Sequence, residues 1–214
     1  MMKTLLLVLV LLKGFWFLAA GEYLGDCLSG VHAQKDEHWN EAILHYDVCI
    51  EYGELSQENL VNMLNRRGMV YDRQGNHDRA IKDYNKALVL NPKYDKGYTN
   101  RGLAYFQKKK YDRAIKDYNK ALVLNPKDAY TLTMRGDAYF QKKKYDRAIK
   151  DYNKALQFQE HYSIFYARGK AYQNKKKYTQ AIQDFKKSLE LNPKAVDVKN
   201  ELDQVLLFKK MLKN

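Results

Sequence analysis

The sequence predicts an all-α protein built from repeated helical hairpins. Three observations predict it. The chain copies itself: QKKKYDRAIKDYNKAL at 107–122 returns unchanged at 141–156. The copying has a period, since Arg-Gly recurs at Arg67-Gly68, Arg101-Gly102, Arg135-Gly136 and Arg168-Gly169, in steps of 34, 34 and 33 residues. Within one period the apolar spacing is helical. Over 95–128, Tyr98, Gly102 and Tyr105 lie at i, i+4, i+7, and Tyr111, Ala114, Ile115, Tyr118, Ala121 and Leu122 form a second stripe of the same kind.

The elements follow in chain order. Residues 1–20 open with Met1-Met2-Lys3, continue as an apolar run broken by Lys13, and end on the small residues Ala19 and Ala20. This is the pattern of an export signal, with an uncleaved membrane anchor over residues 4–20 as the alternative. Residues 21–56 form a degenerate first unit in which Gly30, Trp39, Ala42, Tyr46 and Cys49 keep the repeat spacing. Ser56 is placed to cap the next helix. Four regular units follow at 61–94, 95–128, 129–161 and 162–195. All three prolines, Pro92, Pro126 and Pro193, stand in Asn-Pro-Lys at the unit ends, where the missing amide donor stops a helix. The third unit has Glu160 where the others have Pro. Residues 196–214 form a capping helix with Val198, Leu202, Val205, Leu206 and Leu212 on its apolar face.

The matches Tyr98, Gly102, Tyr105, Ala114, Tyr118, Ala121 and Pro126 resemble the tetratricopeptide repeat. The resemblance implies a right-handed α-solenoid whose first helices line a concave groove for a peptide or a partner protein, and no catalysis. On that template the groove residues are Asn65, Met69 and Arg73, then Thr99, Leu103 and Phe106, then Tyr130, Thr133 and Phe140, then Tyr166 and Lys170. Phe106 and Phe140 have a second reading as packing between neighbouring helices. The clamp that one subclass uses for chaperone carboxylates is not reproduced, since Asn65, Met69, Tyr130 and Met134 stand at its basic and amide positions. The pattern also resembles exported bacterial repeat proteins, which implies a periplasmic or secreted home. Two cysteines, Cys27 and Cys49, lie on the two helices of the first unit, and antiparallel helices bring those positions side by side. An exported pair of this kind favours a disulfide over two buried thiols.

Charge raises two further expectations. Arg67, Arg101, Arg135 and Arg168 are matched by Asp83, Asp117, Asp151 and Asp184, while the degenerate unit has Ser29 and His45 at both positions. Arginine and aspartate come and go together, which predicts structural ion pairs; a row of ligand-facing arginines is the alternative. The formal net charge is +13, and removing residues 1–20, with Lys3, Lys13 and no acid, leaves +11. Lys108, Lys109, Lys110, Lys142, Lys143, Lys144, Lys175, Lys176 and Lys177 occupy three equivalent turns. They read either as a basic ridge for an anionic membrane or cell-wall polymer, or as ordinary solvated turns. Tyrosines at core positions argue against nucleic acid as a partner. No HExxH, GxSxG or phosphate-loop motif is present, so the sequence implies no enzyme, cofactor or metal site.

Overall fold

The computed structural model describes residues 19–52 and 55–211. These form eleven helices, with no strand among the described residues. The core of the expected export signal lies outside them, while Ala19 and Ala20 begin the first helix. Among the described residues no helix is long and apolar enough to cross a membrane. The chain divides into two compact units, one ending at Asn91 and the other starting at Pro92.

The first unit contains α1 (Ala19–Lys35), α2 (Trp39–Tyr52), α3 (Gln57–Arg73) and α4 (His77–Leu90). Ser56 caps α3, its Oγ accepting the Asn59 amide at 3.3 Å. The insertion after α2 therefore ends on a helix start. Ala33, Ala42, Tyr46 and Val70 form a buried cluster flanked by Val31, Trp39, Ile43, Ile50 and Met63. Cys27 and Cys49 are bonded to each other, with Cα atoms 5.3 Å apart.

The second unit contains α5 (Asp95–Gln107), α6 (Tyr111–Leu124), α7 (Ala129–Gln141), α8 (Tyr145–Leu156), α9 (Tyr162–Asn174), α10 (Tyr178–Leu191) and α11 (Val196–Met211). Each consecutive pair from α5 to α10 is a hairpin. Helix α8, in the unit without the proline, has 12 residues where α6 and α10 have 14. Helix α11 buries Val198, Leu202 and Val205 against Ala181, Ile182 and Phe185. Leu206, expected on that face, is exposed, because it lies one residue beyond Val205 and about 100° round the helix. Leu212 lies outside the described residues.

One contact sets the helix spacing in every hairpin. The first helix carries glycine and the second lays an aromatic ring on it. A Cβ on Gly68, Gly102 or Gly136 would stand 2.6 Å from Cε1 of Tyr84, Tyr118 or Tyr152. Gly169 meets Phe185 at the same distance, and Gly30 meets Tyr46 at 2.8 Å. No real Cβ fits there, so the glycine admits the ring and the ring fixes how closely the helices pack.

The turns are equally regular. Lys109 donates its amide to Phe106 O and Lys110 to Tyr105 O, both at 2.8 Å, which is a Schellman ending. It needs a left-handed residue at its centre. The first unit supplies Glu37 (φ 61°) and Gly75 (75°), and the second supplies Lys109 (57°), Lys143 (56°) and Lys176 (58°).

Candidate functional site

The four expected Arg–Asp pairs all meet as bidentate forks. Arg135 donates from Nε and Nη2 to Asp151 Oδ2 and Oδ1, both at 2.7 Å. Arg67 with Asp83, Arg101 with Asp117 and Arg168 with Asp184 repeat this geometry at 2.7–2.8 Å. The aspartates are almost fully covered, with side-chain exposures of 5–7%. Burial is the largest single effect and opposes the arginine charge, but the hydrogen bonds and the neighbouring negative charge together outweigh it, so each arginine pKa ends above its ordinary value. A third donor reaches back to the preceding hairpin. Arg67 Nη1 meets Asp47 Oδ1 at 2.6 Å, Arg135 Nη1 meets Asn119 Oδ1 at 2.8 Å, and Arg168 Nη1 meets Asn153 Oδ1 at 2.7 Å. Three of these arginines thus direct three donors each to side chains of the fold.

Of the expected groove residues, three are buried among their own helices. Thr99 shares a 2.7 Å hydrogen bond with Thr131, Thr133 donates to Ala129 O at 2.8 Å, and Asn65 donates to Met69 Sδ at 3.6 Å. Short polar side chains on these helices turn inward because a backbone carbonyl or a neighbouring hydroxyl is nearer than solvent. In the first unit Met69 and Arg73 remain exposed on α3. In the second, Leu103 is half-buried and Tyr130 is exposed.

The structure brings four expected residues together. Phe106, Phe140, Tyr166 and Lys170, from α5, α7 and α9, line one cavity of about 290 Å³ with Asp137, Gln141, Ser163, Tyr152 and Ala167. The ring of Phe106 meets Tyr111 edge-on at 5.3 Å and that of Phe140 meets Tyr145 at 5.4 Å, so each also packs on its own hairpin. The packing reading of these phenylalanines is realised, and both rings also border the cavity. Asp137 is fixed by the Tyr152 hydroxyl, which donates to Oδ1 at 2.7 Å. Burial raises the Asp137 pKa, with this hydrogen bond working against the rise.

The turn lysines divide by position. The second and third of each triplet are exposed. Lys142 and Lys175 instead bond Asp112 and Asp146 of the preceding turn. Lys142, hydrogen-bonded to Asp112, holds that carboxyl below its usual range. The expected nine-lysine ridge is therefore interrupted where the turns staple to each other. Beside the staples lie two equivalent clefts, one with Lys109, Lys110 and Arg113, the other with Lys143, Lys144 and Arg147. Among the described residues no three His, Cys, Asp or Glu side chains are grouped to hold a metal ion.

The model of the tetratricopeptide repeat matches residues 61–94, 96–128, 129–162 and 162–195, more than half the chain. This protein belongs to the tetratricopeptide repeat family. Solved structures share its fold. A thermophilic tetratricopeptide repeat protein of Thermus thermophilus is 19% identical with a TM-score of 0.67, over 86% of this chain and 99% of that one. MamA is 24% identical with a TM-score of 0.68, over 84% of this chain and 95% of that one. A chain of an APC/C hetero-tetramer is 22% identical with a TM-score of 0.72, over 83% of this chain and 35% of that one. No curated protein matches the sequence. The family is one of scaffolds for protein–protein interaction, and its repeats place this chain among proteins that bind protein partners.

Three features of the repeat escaped the sequence reading. The third arginine contact was marked by Asn119 and Asn153, which recur two residues after the paired aspartates. The staples were marked by Asp112 and Asp146 in the copied YDR. The Asp137–Tyr152 bond had no periodic signal, since its acid occurs in one unit only.

Proposed function

We propose that the protein is a non-catalytic scaffold, exported from the cytoplasm, that holds an extended peptide or a partner segment along α5, α7 and α9. The observation that carries this reading is the aromatic-walled cavity on those three helices. Half-buried rings beside a few polar groups are the composition of a peptide-binding groove. Export is supported by the N-terminal pattern and by the Cys27–Cys49 pairing, since disulfides form and persist chiefly in oxidising compartments.

A second reading assigns the turn edge to an anionic polymer or membrane. It is favoured by left-handed lysines at all three such turns of the second unit, where the first unit has Glu37 and Gly75 and where glycine would sit at lower backbone cost.

One experiment separates the two. Photoreactive residues are placed at Tyr130 and Gln141 on the groove side, and at Lys116 and Lys150 on the outer helices, in the native host. The groove reading expects one common species captured from the first two positions and absent from the others. Substitution of Lys109, Lys143 and Lys176 by Glu should leave that capture intact. Loss of capture with those three changes, together with loss of co-sedimentation on anionic vesicles, favours the turn edge. A cytosolic mature protein with both thiols free sinks the export reading.

A further inference from the structure

The cavity between α5, α7 and α9 has an unusual occupant. Lys170 extends from α9 so that its Nζ lies 5.3 Å from the ring centre of Tyr166 and 5.9 Å from that of Phe140. Both distances are within the range at which an ammonium is held by an aromatic face. Phe106 supplies a third ring to the same space. Asp137 lines it as well, and the Lys170 charge acts on that carboxylate. Tyr152 holds Asp137 through Oδ1, and Asp137 itself lines the cavity. Two aromatic faces under an ammonium, a third ring nearby and a carboxylate are the chemistry of a cation site.

The wider charge distribution agrees. The chain is strongly basic, yet the groove around Tyr166 is not. The charges of Asp197 and Glu201 on α11 act on the Tyr166 phenol and, behind burial, help to raise its pKa. Gln173 donates to Glu201 Oε2 at 3.1 Å. Asp197 and Glu201 thus act on one wall of the cavity, while Asp137 and Lys170 both line it. Elsewhere in the second unit the cations crowd the turns and the outer helices. A partner steered by net charge alone would be acidic and would meet those outer surfaces. The cavity instead offers aromatic rings and the carboxylate of Asp137.

We propose that this cavity binds a basic side chain, arginine or lysine, of an extended peptide, and that Lys170 is a resident competitor which the incoming side chain displaces. The inference rests on the groove reading above and names the chemistry of its partner. Lys170 is suited to yield, since its long flexible stem lets the ammonium leave the rings for solvent without moving α9. Its presence weakens every basic ligand by the free energy of its own contacts, which sets a threshold that a weakly matching peptide does not pass.

The test uses the full chain and two probes, acetyl-Gly-Arg-Gly-amide and acetyl-Gly-Glu-Gly-amide, with binding followed by NMR titration. The arginine probe should perturb residues around Phe140 and Tyr166, and the glutamate probe should not. Lys170→Met keeps the stem and removes the charge, and should tighten the arginine probe by roughly three- to thirtyfold. Asp137→Asn should weaken it by a similar factor; if that variant fails to fold, Phe140→Leu takes its place. The proposal is overturned if Lys170→Met leaves arginine binding unchanged or weakens it. It is equally overturned if the glutamate probe binds the native chain and is lost with Lys170→Met, for then Lys170 serves an anion. Groove crosslinking to a partner segment without basic residues rejects the cation site and leaves the groove standing. Arginine binding without any groove capture in the host does the reverse.

Discussion

The hairpins α5–α6 and α7–α8 have second helices that begin with the same twelve residues, Tyr111–Leu122 and Tyr145–Leu156, yet one buried hydroxyl has different fates in the two. The Tyr152 hydroxyl donates to Asp137, fifteen positions earlier. The same register from Tyr118 falls on Leu103, and the Tyr118 hydroxyl is buried with no hydrogen-bond partner. Twelve positions earlier, where Tyr84 finds Asp72 and Tyr46 finds Gln34, both hairpins carry phenylalanine. Burial raises the pKa of Tyr118 and Tyr152 alike, but only Tyr152 has an acceptor to add to the effect. In these two repeats the second helix is a constant frame. The first helix decides what the frame is used for, and in α7 its aspartate also faces the cavity.

The largest expected effect tests the constancy of that frame. Asp117→Ala and Asp151→Ala each strand a covered arginine, and each should cost about 3–5 kcal/mol by urea unfolding. A large difference between the two would mean that copied sequence does not carry copied energetics. The next effect tests the difference. Tyr152→Phe should cost about 1–3 kcal/mol because it strips a half-buried carboxylate of its donor, whereas Tyr118→Phe should be neutral or stabilising. Equal losses at both sites would erase the contrast.

The smallest effect is a pH dependence. The Asp137 pKa is higher folded than unfolded, so the native state binds more protons than the unfolded chain between the ordinary carboxylate value and the raised one. Stability therefore falls as pH rises through that window and is level above it. Asp137→Asn should make that slope shallower. An unchanged slope would place the burden on other acids, Asp72 among them, whose pKa burial also raises.

Periodicity explains which parts of this molecule were legible in the sequence. The hairpins and the Arg–Asp forks recur in phase, and a feature repeated in four units declares its neighbour by spacing alone. Inward and outward positions on one helix face were harder. Thr99 and Thr133 have the polarity of groove residues, and only the packed structure shows them turned to Thr131 and a carbonyl. The turn lysines look alike in sequence, while a staple to Asp112 or Asp146 requires two turns to be adjacent in space. Asp137 stands at a groove register of its helix, but the acid occurs there once, so no repetition could mark its bond to Tyr152.

The arginine forks have a consequence for how the second unit comes apart. Arg135 ties α7 and α8 to α6, and Arg168 ties α9 and α10 to α8, so each fork spans the seam to the hairpin before it. Peeling away any one hairpin severs at least one such seam contact as well as its apolar packing. In a linear array, strong coupling between neighbours suppresses stepwise fraying and favours a single melting transition. A protein held this way can present an aromatic cavity to solvent while its modules unzip together or not at all.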